Sequence, residues 1–253
     1  MALCHAEGVM QSDQTAAPAQ TQAPEQKPSE CLILAIDTCG PTGSVALGRI
    51  AGDSVEILEQ IELEGRNYSS TLVAAVADLL EHSSARLVGL RAIVAVSGPG
   101  SFTGVRIGLS AVKGLAEAAQ IPVVAVSRLE VLAFKAGVGC SALDAHRREA
   151  FLRLAHTGAA PRELLGGAEE LAEMDAAAVE IAVCDDAAQR LLAGAWPQAK
   201  LVRVDAPTAA DALRLCAPRA MREEFSDLAL LDGHYLRRSD AEIFGDAARA
   251  QTA

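Results

Sequence analysis

Aromatic residues are scarce in this chain: five Phe, two Tyr and one Trp make up 3% of its 253 residues. Its core must therefore be aliphatic and alanine-based. Positive charge is also short, with 22 Lys and Arg against 33 Asp and Glu and a formal net charge of -11. Phosphate backbones are held mainly by Lys and Arg, so this balance disfavours autonomous nucleic-acid binding and leaves a basic partner as the route to RNA. The six cysteines, at 4, 31, 39, 140, 184 and 216, contain no CxxC pair, which excludes a zinc ribbon and a thioredoxin-type motif. They are too sparse for a secreted disulfide scaffold, so reduced thiols are expected. No apolar run is long enough to cross a bilayer, and no charged segment followed by an apolar one marks a signal peptide; the expected location is the cytoplasm. What is present is a globular composition, 51% hydrophobic and 22% charged, sized for one large domain or two small ones.

Residues 1–30 are rich in Gln, Ala and Pro without apolar periodicity and read as a disordered tail, in which Met10 is a second candidate start. From Cys31 the pattern changes. LILAID (32–37), SVALG (44–48) and VEILEQIEL (55–63) read as three strands, the first two joined by a Gly/Pro turn. Ser69 or Ser70 is expected to cap a helix that runs through Glu81. A strand at 90–97 leads into GPGSFTG and a helix from about Thr103 to Ala119, then a strand at 123–127. The second half repeats this less clearly: a hairpin within 141–155, a helix over 162–178, a strand at 179–186, a short helix at 187–195, a strand at 200–205, and a helix over 208–231 interrupted at Pro218. The order predicts two α/β lobes with mixed sheets.

GPGSFTGVR (98–106) follows a strand and opens a helix, with glycines at 98, 100 and 104. Exposed N–H groups at a helix start attract anions, so this loop is a candidate phosphate cradle; the plainer alternative is a tight strand–helix turn packed closely on a neighbour. The spacing is neither a dinucleotide fingerprint nor a Walker A loop. Asp37 and Asp144 each stand at a strand end beside a hairpin, one in each half. Such a pair can hold a metal-bound water in a phosphotransferase, or simply cap two turns. The five histidines lack metal-ligand spacing, and adjacent Asp185 and Asp186 face opposite ways in a strand. Arg147, Arg148 and Arg153, with Arg237 and Arg238, form local basic clusters of the kind that are usually solvated and sometimes hold phosphate or RNA.

LILAIDTCGPTGSVAL, RNYSSTL, AVSGPGSFTGVRIGLSAVKGLA and ALDAHRREAF, with YLRR near 235–238, resemble the TsaB (YeaZ) family. The match is strongest over 32–155, and GPGSFTGVRIG is its most specific segment. The resemblance implies an α/β fold of the actin-like ATPase (ASKHA) superfamily: two ribonuclease-H-like lobes with mixed sheets. Residues 31–127 would form the first lobe, and 128–253 a degenerate second lobe whose last helix packs back on the first. It also implies a non-catalytic, activating role in synthesis of threonylcarbamoyladenosine in tRNA. The transferase TsaD would be the main partner, the ATPase TsaE a further one, and tRNA would be reached only through the complex; a homodimer is the alternative for the free chain. In that family pattern Tyr68 stands where a His is usual, and no second His follows at Leu72, so the HxxxH metal site of the paralogue is absent and no metal or catalytic residue is expected.

The resemblance implies that Asp37, Thr38 and Asp144 are superfamily phosphate-site positions; with Gly98, Gly100 and Ser101 of the glycine loop they form a candidate degenerate site. VCDDAAQ (183–189) replaces a glycine-rich adenosine loop, so firm ATP binding by the chain alone is not expected, though ATP in an assembled complex is. The resemblance further implies pairing through two first-lobe helices, with Tyr68, Leu72, Ala75, Val76, Leu79, Val105, Gly108, Leu109, Ala111 and Val112 as interface candidates. The rival readings are a stand-alone actin-like ATPase or small-molecule kinase built on Asp37, Asp144 and the 98–104 loop, a metallopeptidase, which the missing HxxxH disfavours, and a generic interaction module.

Overall fold

The run LILAID becomes a central strand because each of its residues is buried, and strong β-formers with no solvent face fit only the middle of a sheet. The computed structural model describes residues 31–52, 54–64, 67–156, 158–174 and 180–237. The expected tail at 1–30, Arg66, Arg238 and the end of the helix expected over 162–178 lie outside the described residues.

The first sheet contains β1 (Cys31–Asp37), β2 (Thr42–Ala51), β3 (Ser54–Glu64), β4 (Leu90–Val96) and β5 (Val123–Val126), in the order β3-β2-β1-β4-β5. β1 pairs antiparallel with β2 and parallel with β4. Two helices, α1 (Tyr68–His82) and α2 (Phe102–Ala119), pack on it. α1 begins at Tyr68 after Asn67, so Ser69 and Ser70 lie inside its first turn instead of capping it; the hydroxyls of Ser70 and Thr71 both donate to the Asn67 carbonyl.

The second sheet contains β6 (Cys140–Asp144), β7 (Glu149–Leu154), β8 (Arg162–Gly167), β9 (Glu180–Val183) and β10 (Lys200–Arg203), in the order β8-β7-β6-β9-β10. Position for position this repeats the first sheet, with the same antiparallel and parallel neighbours. The repeat corrects one sequence expectation. Arg162–Gly167 pairs with β7 as an edge strand, and among the described residues of this stretch only Ala168–Ala172 (α4) is helical. Leu and Glu favour a helix weakly, and the open edge of β7 outweighs that preference.

Two helices tie the sheets together. α3 (Arg128–Ala136), not anticipated from the sequence, is capped by Ser127 and ended by Gly137 in the left-handed conformation. Its Leu129 and Leu132 bury against Leu143, Phe151 and Ala182 of the second sheet. α5 (Asp186–Ala195) covers the opposite face, where Ala188 and Leu192 meet Ala142, Leu152 and Val183. Neighbouring residues of one strand point to opposite faces, which fixes this sidedness. α6 (Ala209–Met221) returns to the first sheet. Its first amides donate to Ser44 Oγ at 2.8 Å and Gln60 Oε1 at 3.1 Å, and Lys135 of α3 meets Asp211 at 2.9 Å. α6 ends at Met221, ten residues before the limit the sequence suggested, and it contains Pro218. Among the described residues, no helix is long and apolar enough to cross a membrane.

Candidate functional site

Both hairpins that open a lobe end their first strand on an aspartate, and the two are built alike. Asp37 Oδ1 accepts the Cys39 N–H at 2.8 Å, and Asp144 Oδ1 accepts the His146 N–H at 2.8 Å. The second oxygen of each faces a side-chain nitrogen: Arg128 Nε lies 3.4 Å from Asp37 Oδ2, and His146 Nδ1 lies 3.0 Å from Asp144 Oδ2. Asp37 and Arg128 are both almost fully buried, with side-chain exposures of 2% and 7%. Burial, the largest single influence, would lower the arginine's pKa, but the Asp37 charge and hydrogen bond together with the nearby Cys39 and Cys184 outweigh it and raise it. The same burial, with Asp37 beside it, pushes the Cys39 thiol well above its ordinary value. Arg128 is the first residue of α3, where the helix dipole disfavours a cation. That misfit is the one signal in the sequence that marked it, and sequence reasoning missed it.

The glycine-rich loop docks on the first turn. Ser101 N–H donates to the Cys39 carbonyl at 2.8 Å, and Thr38 Oγ1 donates to the Gly104 carbonyl at 2.7 Å. Ser101 Oγ caps α2 by accepting the Gly104 N–H. A Cβ at Gly100, Gly104 or Gly108 would collide with Cys39 or Thr38, so this stripe lets the helix touch the turn. Gly98 is covered by His234, whose N–H donates to the Ser97 carbonyl at 2.7 Å. Thr38, Gly100 and Ser101 are thus brought together with Asp37, while Asp144 belongs to the other lobe's hairpin.

ATP, which the fold superfamily implies, does not fit these residues. The Arg128 guanidinium packs over Gly40 of the first turn. In the second lobe, Asp185 at the adenosine-loop position is committed to its own chain: Oδ1 caps α5 at Ala188 and Oδ2 accepts the Asp144 N–H at 2.9 Å. Among the described residues no group of three His, Cys, Asp or Glu is placed to hold a metal ion.

The interface candidates divide. Tyr68, Leu72, Ala75, Val76, Leu79, Val105, Gly108, Leu109 and Val112 are all buried and pack inward; only Ala111 is partly exposed. Helical periodicity locates a stripe but not its destination, and here the stripe meets the chain's own sheet. Tyr68, at the position of the paralogue's histidine, donates its hydroxyl to the Gly40 carbonyl at 2.8 Å, and burial followed by the Asp37 charge raises its pKa to about 12. The outer surface between α1 and α2 is instead a groove of about 530 Å³, whose floor includes Tyr68, Leu72 and Ala111 and whose walls include Val73, Phe102 and Arg106. Val73 is 60% and Phe102 42% exposed. Tyr235 packs 5.2 Å from the Phe102 ring, and Arg106 lies 3.8 Å over that ring. A segment around His234 and Tyr235 therefore reaches this face.

The family model described as "TsaD: tRNA N6-adenosine threonylcarbamoyltransferase" matches residues 56–156. The chain is 44% identical over 101 residues to the tRNA threonylcarbamoyladenosine biosynthesis protein TsaB of Bacillus subtilis, and 39% identical over 101 residues to that of Escherichia coli. Each alignment spans 40% of this chain, and 43% and 42% of those relatives, so the chain matches less than half of their length. The crystal structure of a protein described as similar to peptidase YeaZ, from Pseudomonas aeruginosa, covers 82% of this chain and is itself covered in full, at 31% identity and a TM-score of 0.66. YeaZ from Pseudomonas aeruginosa is likewise covered in full, at 30% identity and a TM-score of 0.65. The chain belongs to the TsaB (YeaZ) family. Its two lobes, each with the strand order of a ribonuclease-H-like sheet, are the actin-like fold that the sequence resemblance implied. Within that fold the family's glycine-rich GPGSFTG segment is a packing device in this chain, spent on the contact between α2 and the first hairpin.

Proposed function

We propose that this chain is a non-catalytic, activating subunit in the synthesis of threonylcarbamoyladenosine in tRNA, pairing with a TsaD-type transferase in the cytoplasm. The observation that carries this reading is the commitment of both strand-end carboxylates to donors of their own chain, one to buried Arg128 and the other to His146. A stand-alone ATPase or kinase would need those oxygens for a metal or water. The groove between α1 and α2, with Val73 and Phe102 exposed beside Arg106, supports pairing through these helices. The contact then falls on Val73, Phe102, Arg106 and Ala111, not on the inward stripe.

A TsaE-type ATPase joins through the assembled pair, ATP and tRNA are engaged there, and a homodimer through the same helices is the alternative for the free chain. Light scattering on a size-exclusion column tests the reading. The chain mixed with the TsaD-type protein of its own source is expected to give a one-to-one species, and Val73→Asp to weaken it at least tenfold without changing the fold. No complex at micromolar concentrations, with or without ATP and the TsaE-type protein, overturns it.

A further inference from the structure

Residues 231–237 form neither helix nor strand, yet this strap touches both lobes. Leu231 is buried in the core of the first lobe. The His234 N–H donates to the Ser97 carbonyl beside the glycine-rich loop, while its ring nitrogen sits 2.8 Å from Glu163 of the second sheet. Tyr235 turns to α2 of the first lobe, and Leu236 packs against Leu143 and Phe151 of the second. Arg237 donates to the Ala145 carbonyl at 2.7 Å and pairs with Glu149, both in the second-lobe hairpin.

The strap is folded tightly where it meets α2. The Tyr235 N–H donates to the Gly233 carbonyl at 2.9 Å, and the Tyr235 ring lies so close over Gly233 that a Cβ there would collide with it. That ring supports one wall of the groove between α1 and α2. It packs 5.2 Å from the Phe102 ring, and its hydroxyl accepts the Arg106 Nε–H at 3.3 Å. Arg106 is held by both rings, 3.8 Å over Phe102 and 5.9 Å from Tyr235. Phe102 and Arg106 line the groove, and Tyr235 touches both. Arg106 is exposed, and among the described residues it enters no ion pair. Its Nε is given to Tyr235, which leaves both Nη groups for another acceptor.

We propose that the 231–237 strap is part of the pairing face: it holds Phe102 and Arg106 set for a partner helix that brings an apolar side and one acidic side chain, and it ties that face to the second-lobe hairpin. The proposal rests on the pairing through α1 and α2 proposed above. Ordering a long side chain at an interface weakens binding, and Arg106 and Phe102 are ordered before the partner arrives. A guanidinium meets a carboxylate in paired hydrogen bonds, and an apolar helix face fills the groove between Val73 and Phe102. The strap joins the groove wall to the second lobe, so the coupling runs both ways. Freeing Arg237 from the hairpin weakens pairing, and pairing tightens the hold of the strap.

The test uses the full chain and the TsaD-type protein of its own source. Calorimetry reads the affinity, and hydrogen exchange of a peptide spanning 231–237 reads the strap. Arg237→Ala removes a contact in the other lobe, and Gly233→Ala pushes the Tyr235 ring aside; neither residue lines the groove. Each is expected to weaken pairing by about three- to tenfold and to speed exchange of the strap in the free chain. In a Tyr235→Ala background, Gly233→Ala is expected to have no further effect on affinity, which a merely structural glycine would not show. Arg106→Gln is expected to weaken pairing and to flatten its dependence on salt, the mark of a lost ion pair. The partner is expected to slow exchange of the wild-type strap. If the wild type does not pair, the pairing reading is overturned and this one with it. If the wild type pairs, and Gly233→Ala and Arg237→Ala pair as it does, the strap only packs and this inference alone is overturned. Unchanged affinity and salt dependence for Arg106→Gln overturns the acidic side chain assigned to the partner.

Discussion

Arg128 Nε lies 3.4 Å from Asp37 Oδ2 in the interior of the protein, joining the start of α3 to the end of β1 across 91 residues of sequence. The pair stands where the superfamily's first phosphate site would be, and it neutralises the carboxylate on which a nucleotide-hydrolysing reading depends.

Breaking that pair is expected to be costly in either direction. Asp37→Ala leaves a buried guanidinium uncompensated, and Arg128→Met leaves a buried carboxylate; each is expected to lower stability by about 3–5 kcal/mol. The double variant is expected to lose clearly less than the sum of the two, because neither charge remains. Urea unfolding of the four proteins measures this, and additive losses would show that the two side chains do not interact.

Gly108 and Gly114 lie on the same helix with opposite surroundings. A Cβ at Gly108 runs into Thr38 Oγ1, while one at Gly114 meets nothing within 4 Å. Gly108→Leu, at a position the family resemblance assigns to the interface, is therefore expected to destabilise the fold itself, by about 1–3 kcal/mol or more. Gly114→Ala is expected to stabilise by about 0.5–1 kcal/mol through helix propensity and a less flexible unfolded chain. Thermal melts of both variants check the contrast, and equal shifts would contradict it.

Glu163 gathers Ser127, Arg153 and His234 at 2.6, 2.9 and 2.8 Å. Burial pushes its carboxyl up, but the close His234 contact and the hydrogen bonds from Ser127 and Arg153 together outweigh burial and hold its pKa below the ordinary 4.5. A carboxyl whose pKa is lowered by folding stabilises the folded state fully above its unfolded pKa. That stability is lost as pH falls through the lower, folded value. Unfolding free energies between about pH 3 and pH 7 are expected to drop at the acidic end less steeply for Glu163→Gln than for the wild type. Parallel curves would show that Glu163 carries none of the acid sensitivity.

Cys39 and Cys216 are buried, and burial raises both thiols, Cys216 to about 12. Only the thiolate reacts readily. Iodoacetamide on the native chain at mildly alkaline pH is therefore expected to spare these two residues, and to label them once the chain is unfolded. Peptide mass spectrometry reads the difference; native labelling of Cys39 would mean that the first turn opens to solvent.

Much of the first lobe was legible from local pattern. β1 and β4 are runs of buried aliphatic residues, and the helix after GPGSFTG begins within a residue of where the sequence put it. The second lobe was harder. β8 reads as helix because its composition is neutral and only the β7 edge makes it a strand. α3 carried its own signals, a Ser cap and a terminal Gly, and was overlooked between two strands. The interface residues show the sharper limit. Spacing identified the apolar stripes of α1 and α2, yet a stripe has the same spacing whether it meets its own sheet or another protein, and here Leu79 and Val112 are sealed against the core.

The sequence by itself determined the family, the two α/β lobes and the two strand-end aspartates, because these depend on local pattern and on short motifs. Only the tertiary structure decided what those residues do. Pairing Asp37 with Arg128, docking Gly108 on Thr38 and laying Tyr235 on Phe102 all bring distant segments into contact. Such contacts follow from how the two sheets and their shared helices pack, which is a property of the whole chain and of no window within it.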